Sequence, residues 1–184
     1  MMKVCYTLAY HTEQPMNILF VCTGNICRSP AADAVLKSRL EKYGISHLHT
    51  VDSAGTMDYH VGESADPRMI LHGKKRGYLL DSKARQFDHK KDFSKFDLIL
   101  CATPSHVRTL KRMASDPNEE MKIVPMTHFS KRISVAEVPD PYYGGPQGFE
   151  EAFDIIEDIC DGLCEYLSHN PELKQPSLFS EDDE

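Results

Sequence analysis

The sequence predicts an α/β fold in which a parallel sheet carries helices on both faces. Apolar runs of strand length alternate with stretches whose apolar residues recur at helical spacing. The first run, Asn17 to Cys22, is apolar almost throughout, as expected for a strand buried on both faces. Because strands and helices alternate, we expect ligands to bind beyond the carboxyl ends of the strands.

The first helix follows the first strand directly. It begins at Ser29-Pro30 and ends at Gly44, with proline near the first helical position and glycine as the stop. Pro125 indicates an edge strand, because proline cannot donate to a central ladder. The other predicted elements, in chain order, are a strand over 49–53, a helix from Asp66 to Gly73 or Gly77, a strand over 96–102, a helix from Pro104 to about Ala114, the edge strand over 122–126, and a helix over 149–167.

Length and charge favour one globular domain without a general affinity for polyanions. The chain has 184 residues and a net charge of -7, so we expect neither nucleic acid nor an anionic membrane as partner. No apolar stretch reaches membrane-spanning length. We expect an N-terminal extension over 1–15 rather than a signal peptide, the domain over 16–170, and an acidic, disordered tail over 171–184. Met16, just before the first strand, is an alternative start.

The six cysteines favour reduced thiols and a cytoplasmic protein. The chain is too large to need disulfides for stability, and no CxxC or paired histidine spacing surrounds them. We therefore expect no metal and no cofactor. Cys101, Cys160 and Cys164 fall on predicted strand and helix positions that face the core.

The candidate catalytic and anion-binding residues lie in one short loop. The anion loop, residues 22–29, joins the first strand to the first helix, where backbone N–H groups and the helix dipole favour an anion. Neither GxGxxG nor GxxxxGK[ST] is present. The motif that the loop does contain is a cysteine, Cys22, six residues before an arginine. The same donors that hold an oxyanion would stabilise a Cys22 thiolate. A buried core cysteine is the alternative, but it leaves Arg28 unexplained.

The loop sequence CTGNICRSP, with DPYYG at 140–144, resembles the low-molecular-weight protein tyrosine phosphatases. The resemblance runs from about Asn17 to about Leu167. It implies a flavodoxin-like three-layer sandwich with a four-stranded parallel sheet of order 2-1-3-4. Further family-like segments are DSAG at 52–55, DPR at 66–68, KARQ at 83–86 and FDLILC at 96–101.

The resemblance also assigns roles to residues. It makes Cys22 the nucleophile, Arg28 the phosphate clamp and Asp140 the general acid. A guanidinium presents a planar fork of donors to two phosphate oxygens, which suits the role of Arg28. Two other Asp-Pro pairs, at Asp66 and Asp116, are interpreted as turn or capping chemistry. The phosphate-binding positions of the loop are Thr23, Gly24, Asn25, Ile26, Cys27 and Ser29, with Asn25 and Ser29 as supports.

Three tyrosines are candidates for the rim of a substrate pocket. Tyr59, Tyr142 and Tyr143 either line its mouth or are ordinary exposed aromatics, and the resemblance favours the first reading. The family often places a histidine near the end of the second helix to support the loop. Arg76 stands there in this chain, which leaves the support of Asn25 open. We expect His72 to lie on the surface of that helix.

We predict a cysteine-dependent protein tyrosine phosphatase that forms a cysteinyl-phosphate intermediate. Its partner would be a phosphotyrosine protein or a small aryl phosphate, and the chain a monomer or weakly self-associating. Phosphoarginine hydrolysis and arsenate reduction on the same fold stay open as alternatives. Relatives that hydrolyse phosphoarginine tend to have Thr where this chain has Ile26. Arsenate reduction needs a further cysteine pair after the third strand, where this chain has only Cys101. The resemblance makes Cys27 a redox partner of Cys22, although simple packing is its alternative, and secretion without a signal peptide stays open.

Overall fold

Four parallel strands form the central sheet, in the order β2-β1-β3-β4. The computed structural model describes residues 15–169, so residues 1–14 of the expected extension and the expected acidic tail lie outside the described residues. The strands are β1 (Asn17–Cys22), β2 (Thr50–Gly55), β3 (Leu98–Cys101) and β4 (Ile123–Pro125). The helices are α1 (Arg28–Tyr43), α2 (Pro67–Lys75), α3 (His89–Lys95), α4 (Pro104–Lys111), α5 (Pro117–Met121) and α6 (Pro146–His169).

The alternation of side chains along β1 builds a core on each face of the sheet. Ile18 and Phe20 join the core beneath α1 and α6, whereas Leu19 and Val21 join the core beneath α3 and α4. All four side chains are fully buried, because β1 has a parallel neighbour on each side and helices on both faces. The predicted sheet order and three-layer sandwich are confirmed.

Helix termini follow the residues that the sequence offers. Gly44 ends α1 with a φ of 72°, a left-handed conformation that glycine adopts without strain. Asp66 accepts a hydrogen bond from the Arg68 N–H and begins α2, as predicted. Asp116 begins α5 in the same way by accepting from the Glu119 N–H, which agrees with its interpretation as capping chemistry.

Several boundaries differ from the prediction. Helices α3 and α5 were missed, because they are short and α5 buries no residue. The second strand begins at Thr50 and continues through Gly55, since its last residues pair with the end of β1. The third strand is shorter than 96–102, the edge strand β4 is shorter than 122–126, and α4 ends at Lys111 rather than near Ala114. Pro125 does lie at the sheet edge.

Within residues 15–169, no helix is long and apolar enough to cross a membrane. The same part of the chain contains no cluster of three or more His, Cys, Asp or Glu side chains with the geometry to hold a metal ion.

Candidate active site

A pocket of about 190 Å³ opens at the carboxyl end of β1. Its floor is the anion loop, and its walls come from the loop after β2 and from the segment before α6. It lies where the sequence predicted it, beyond the strand ends. Its lining residues are Cys22, Thr23, Gly24, Ile26, Cys27, Arg28, Tyr59, His60, Asp140, Tyr142 and Tyr143.

The backbone of the anion loop is shaped to leave its donors unused. Asn25 has a φ of 56°, a left-handed conformation that is unusual for a residue with a side chain. No backbone N–H between residues 23 and 28 donates a hydrogen bond to another protein group within residues 15–169. Such groups at the start of α1 are suited to an oxyanion.

The side chain of Asn25 ties the loop to three other segments. Its Nδ2 donates to the hydroxyls of Ser29 and Ser53, each at 2.9 Å, and its Oδ1 accepts from the backbone N–H of Arg85 at 2.9 Å. Asn25 is 2% exposed, so these contacts replace water rather than compete with it. They hold the strained backbone in place.

A close contact at Gly55 also fixes the anion loop against β2. A Cβ on Gly55 would lie 2.6 Å from the carbonyl oxygen of Thr23, which no side chain can tolerate. The Thr56 N–H and the Met57 N–H donate to the carbonyls of Cys22 and Thr23. Only glycine therefore allows β2 to lie this close to the start of the loop.

The Cys22 thiol lies at the base of the pocket, 2% exposed. Its Sγ is 3.1 Å from the Ser29 hydroxyl oxygen. Because Ser29 already accepts from Asn25, its own proton is available to Cys22 or to the Ala54 carbonyl at 3.3 Å. A hydroxyl that donates to sulfur stabilises a thiolate. All cysteines of the described chain, Cys22 among them, are free thiols.

Arg28 reaches into the same pocket from the first turn of α1. Its Nη2 donates to Asp140 Oδ2 at 2.7 Å and to Thr23 Oγ1 at 3.3 Å, and its Nη1 donates to the Val138 carbonyl at 3.3 Å. Its buried Nε has no hydrogen-bond partner among residues 15–169. The Arg28 side chain is 5% exposed, so its orientation is set by these contacts.

Asp140 arrives from a segment 112 residues further along the chain. Its Oδ1 accepts from the Tyr142 N–H at 3.1 Å, which begins a short 3-10 turn over Pro141–Tyr143. Its Oδ2 pairs with Arg28. The carboxyl therefore lies beside the guanidinium, and its side chain is 37% exposed at the mouth of the pocket.

The three predicted rim tyrosines all line the pocket. Tyr59 is 70% exposed, Tyr143 is 90% exposed and Tyr142 is 38% exposed. The rings of Tyr142 and Tyr143 meet edge to face with centroids 5.0 Å apart, and the Arg68 guanidinium lies 5.3 Å from the Tyr142 ring centroid. Two largely exposed aromatic faces thus stand at the entrance.

Two histidines near the site had not been singled out from the sequence. His60 lies over Gly24, where an added Cβ would come within 2.9 Å of its ring, and it pairs with Glu63 at 2.8 Å. His106, on α4, has its Nε2 2.9 Å from Thr23 Oγ1. The position of His60 next to Tyr59 was a signal that could have been used, whereas His106 carries no local motif.

The expectation for His72 is corrected, and the question that Arg76 left open is answered. His72 is buried rather than on the surface, because its ring stacks on Phe149 and it pairs with Glu150 on α6. Arg76 does not support the anion loop: its guanidinium pairs with three carboxylates of α6, those of Glu150, Asp154 and Glu157. In its place, the backbone of Arg85 supports Asn25.

The fold and the site together define a class of protein, the cysteine-dependent phosphatases. Over residues 17–173, the chain matches the model of the family described as low molecular weight phosphotyrosine protein phosphatase. The chain belongs to this family.

Relatives and solved structures agree with this membership. A low molecular weight protein-tyrosine-phosphatase of Streptomyces coelicolor is 43% identical over 79% of this chain and 90% of its own. A low molecular weight phosphotyrosine protein phosphatase of Schizosaccharomyces pombe is 37% identical over 83% of this chain and 97% of its own. The crystal structure of a protein tyrosine phosphatase from Entamoeba histolytica, with Hepes in its active site, superimposes with a TM-score of 0.80 at 43% identity. The superposition covers 83% of this chain and 97% of the Entamoeba histolytica chain.

Proposed function

We propose that this enzyme hydrolyses phosphotyrosine in proteins, and small aryl phosphates, with Cys22, Arg28 and Asp140 as its catalytic residues. One observation carries the proposal: a thiol, a guanidinium and a carboxyl, from two segments far apart in sequence, converge on a single pocket. Tyrosine rings stand at its entrance. This arrangement supplies a nucleophile, an oxyanion site and a proton donor for a phosphoryl group on an aromatic alcohol.

In the first step, the Cys22 thiolate attacks phosphorus. The sulfur–phosphorus bond forms as the bond from phosphorus to the tyrosyl oxygen breaks, and the electron pair goes to that oxygen. The N–H groups of the anion loop and the Arg28 guanidinium hold the other three oxygens. Asp140, in its acid form, gives its proton to the leaving oxygen. The products are a cysteinyl-phosphate at Cys22 and the dephosphorylated tyrosine of the substrate.

The Arg28–Asp140 ion pair belongs to the resting site. A phosphoryl dianion offers Arg28 two oxygens in place of one carboxylate, so it competes for the guanidinium. Asp140 is then free to turn towards the leaving oxygen. Substrate binding therefore releases Asp140 for its role as proton donor.

In the second step, Asp140 acts as a base. Its carboxylate accepts a proton from water as that water attacks phosphorus and the Cys22 thiolate leaves. Inorganic phosphate is released and the starting protonation state is restored. The Ser29 hydroxyl, 3.1 Å from Cys22 Sγ, stabilises the departing thiolate.

The pocket lining supports an aryl substrate. Ile26 lines the wall of the pocket, and Tyr59, Tyr142 and Tyr143 stand at its mouth, so a phenol ring meets apolar faces. Of the two alternatives, arsenate reduction lacks support because Cys101 is fully buried within β3, where it cannot relay a thiol. We propose a monomer or weak self-association for the active form.

The proposal is tested by assaying three peptides of one sequence that carry phosphotyrosine, phosphoserine or phosphoarginine. We expect turnover of the phosphotyrosine peptide to exceed the other two by at least about 100-fold, the size of discrimination that a shaped pocket achieves. Cys22→Ser, which keeps a hydroxyl of similar size, should abolish turnover of all three. Preference for phosphoarginine, or wild-type turnover by Cys22→Ser, would contradict the proposal.

A further inference from the structure

A chain of hydrogen bonds runs behind the anion loop and involves no residue assigned a chemical step except Arg28. Arg28 Nη2 donates to Thr23 Oγ1 at 3.3 Å. Thr23 Oγ1 is 2.9 Å from His106 Nε2, and His106 Nδ1 is 2.9 Å from Thr103 Oγ1. The chain thus connects the guanidinium in the pocket to the start of α4.

The far end of this chain is fixed independently of the loop. Thr103 precedes α4, and its hydroxyl accepts the His106 N–H at 3.3 Å, the contact by which a threonine begins a helix. The side chains of Thr103 and His106 are buried. The imidazole is therefore held from both sides and offers Thr23 a rigid partner.

The hydrogen bonds are mutually consistent when His106 is neutral. A guanidinium only donates, so Thr23 Oγ1 accepts from Arg28 and still has a proton and a lone pair for His106. A neutral imidazole has one donor and one acceptor, and either tautomer satisfies both threonines. Burial, and secondarily the positive charge of Arg28, lower the pKa of His106 to about 4, which keeps the ring uncharged at neutral pH.

This support matters when Asp140 leaves the guanidinium. Asp140 is the charged partner of Arg28, and the proposed reaction requires it to turn to the leaving oxygen. The remaining contacts of Arg28 within residues 15–169 are the Val138 carbonyl on Nη1 and Thr23 on Nη2. A threonine hydroxyl rotates freely unless a partner fixes it, so Thr23 alone would restrain Nη2 weakly.

We propose that His106 is a positioning residue, which acts through Thr23 to hold Arg28 in the orientation that binds the phosphoryl group after Asp140 has moved. The proposal rests on the proposed function of this site. It does not place His106 in contact with the substrate. Its measurable consequence is the affinity of the pocket for phosphate oxygens.

The experiment measures the dissociation constant of inorganic phosphate by calorimetry at neutral pH, which does not depend on the identity of the physiological substrate. His106→Ala and Thr23→Val should each weaken binding by about tenfold, the size of one hydrogen bond that restrains a charged group. Thr23→Ser, which keeps the hydroxyl, should stay within about twofold of wild type. Thr23→Val changes only the loop side and guards against a folding defect in α4.

The double variant His106→Ala/Thr23→Val decides between positioning and packing. If His106 acts through Thr23, the double variant binds phosphate no more weakly than either single variant, because the chain is already broken. Two multiplying losses would overturn the proposal. So would a lowered melting temperature with unchanged phosphate affinity, which would make His106 a packing residue. Failure of wild type to hydrolyse phosphotyrosine would instead refute the proposed function and leave this measurement intact.

Discussion

Two segments of the molecule offer an arginine and backbone N–H groups to an anion, and they use them in opposite ways. At residues 131–133, the three N–H groups donate to the Asp158 carboxylate at 2.9 to 3.2 Å, and Arg132 pairs with it at 2.8 Å. In the anion loop, the N–H groups of residues 23–28 donate to no protein group of the described chain, and the pocket is open. One set of donors is satisfied by the chain, and the other is left unused by it, as the proposed binding of an oxyanion requires.

The difference separates stability from function. Asp158 is 1% exposed, yet its charge is stabilised, so the segment after the 3-10 turn at Met126–Phe129 is fixed onto α6. Within residues 15–169, no carboxylate accepts from the amides of residues 23–28, and the left-handed Asn25 needs support from Ser29, Ser53 and Arg85. The unused N–H donors of residues 23–28 lie where the proposed reaction has to bind an oxyanion.

The largest expected contrast is between the two arginines. Arg28→Lys should lower kcat/KM for an aryl phosphate by about 10³-fold, because lysine cannot offer a planar fork to the transferring phosphoryl group. We call residues 131–133 with Asp158 the filled site. Arg132→Lys, the matched change there, should leave kcat/KM within about twofold of wild type. Steady-state kinetics of the two variants side by side measures this. A comparable loss in both would remove the distinction between the two sites.

The role of Asp140 depends on the leaving group. Asp140→Ala should slow hydrolysis of phenyl phosphate by roughly 100-fold, because the phenolate needs a proton, and should slow release of 4-nitrophenol much less. The ratio of initial burst rates for the two substrates measures the effect. An equal loss on both would indicate that Asp140 only orders the segment before α6.

The filled site should control stability instead of turnover. Burial acts to raise the pKa of Asp158, but the hydrogen bonds from Arg132 and from the backbone N–H groups outweigh it and lower this pKa to about 2. Relative to an ordinary value of 3.8, this corresponds to roughly 2 kcal/mol of folding free energy at neutral pH. Asp158→Asn should lose about that much in urea unfolding at pH 7 while kcat stays near wild type.

The sign of the pH dependence follows from the lowered pKa. The stabilisation is fully present above the unfolded value of about 4 and is lost as the pH falls towards 2, where the folded carboxylate is protonated. The gap between wild type and Asp158→Asn should therefore narrow below about pH 4. A gap that is constant from pH 7 to pH 2.5 would mean that packing, rather than charge, accounts for the loss.

The smallest expected effect concerns oxidation. Cys22 lies at the base of an open pocket, where peroxide can reach it, whereas Cys160 and Cys164 lie within the core beneath α6 and should remain unmodified. We expect Cys27 to capture the Cys22 sulfenic acid, forming a disulfide and releasing water. Burial, followed by the Asp66 charge, raises the pKa of Cys27 above its usual range, so Cys27 itself should be a poor target for peroxide. Phosphate should slow the initial oxidation.

Recovery with dithiothreitol after peroxide treatment measures the role of Cys27. Wild type should regain most of its activity, and Cys27→Ser a minor share, because an uncaptured sulfenic acid is oxidised further. Equal recovery, or peptide mapping without a Cys22–Cys27 bond, would leave Cys27 as a packing residue beneath the loop.

The sequence reveals elements that carry their own local signals. The apolar run of β1, Pro30 and Gly44 are sufficient to place β1 and α1 within about a residue. Helix α3 has few apolar residues and α5 buries none, so neither has a periodic pattern to detect. Their presence depends on caps, Asp88 and Asp116, whose partners become clear only in the structure.

The residues of the candidate site also differ in whether local sequence is enough to predict them. Cys22 and Arg28 lie within one loop, so spacing alone predicts their proximity, whereas Asp140 depended on the family resemblance because 112 residues separate it from Arg28. His72 was misplaced because its burial depends on α6, which lies far along the chain. Contacts made through tertiary structure, such as that between His106 and Thr23, have no signature in a single sequence.

The central claim is that the anion loop is kept open to carry a phosphoryl group on Cys22. The most direct measurement uses Asp140→Ala, in which 4-nitrophenyl phosphate still delivers its phosphoryl group but the base for the second step is missing. The reaction is quenched in acid within its first turnover and the digested protein is analysed by mass spectrometry. We predict one phosphate on the peptide that contains Cys22, and none when Cys22→Ser is combined with Asp140→Ala. No phosphopeptide, or phosphate on another residue, would contradict the account.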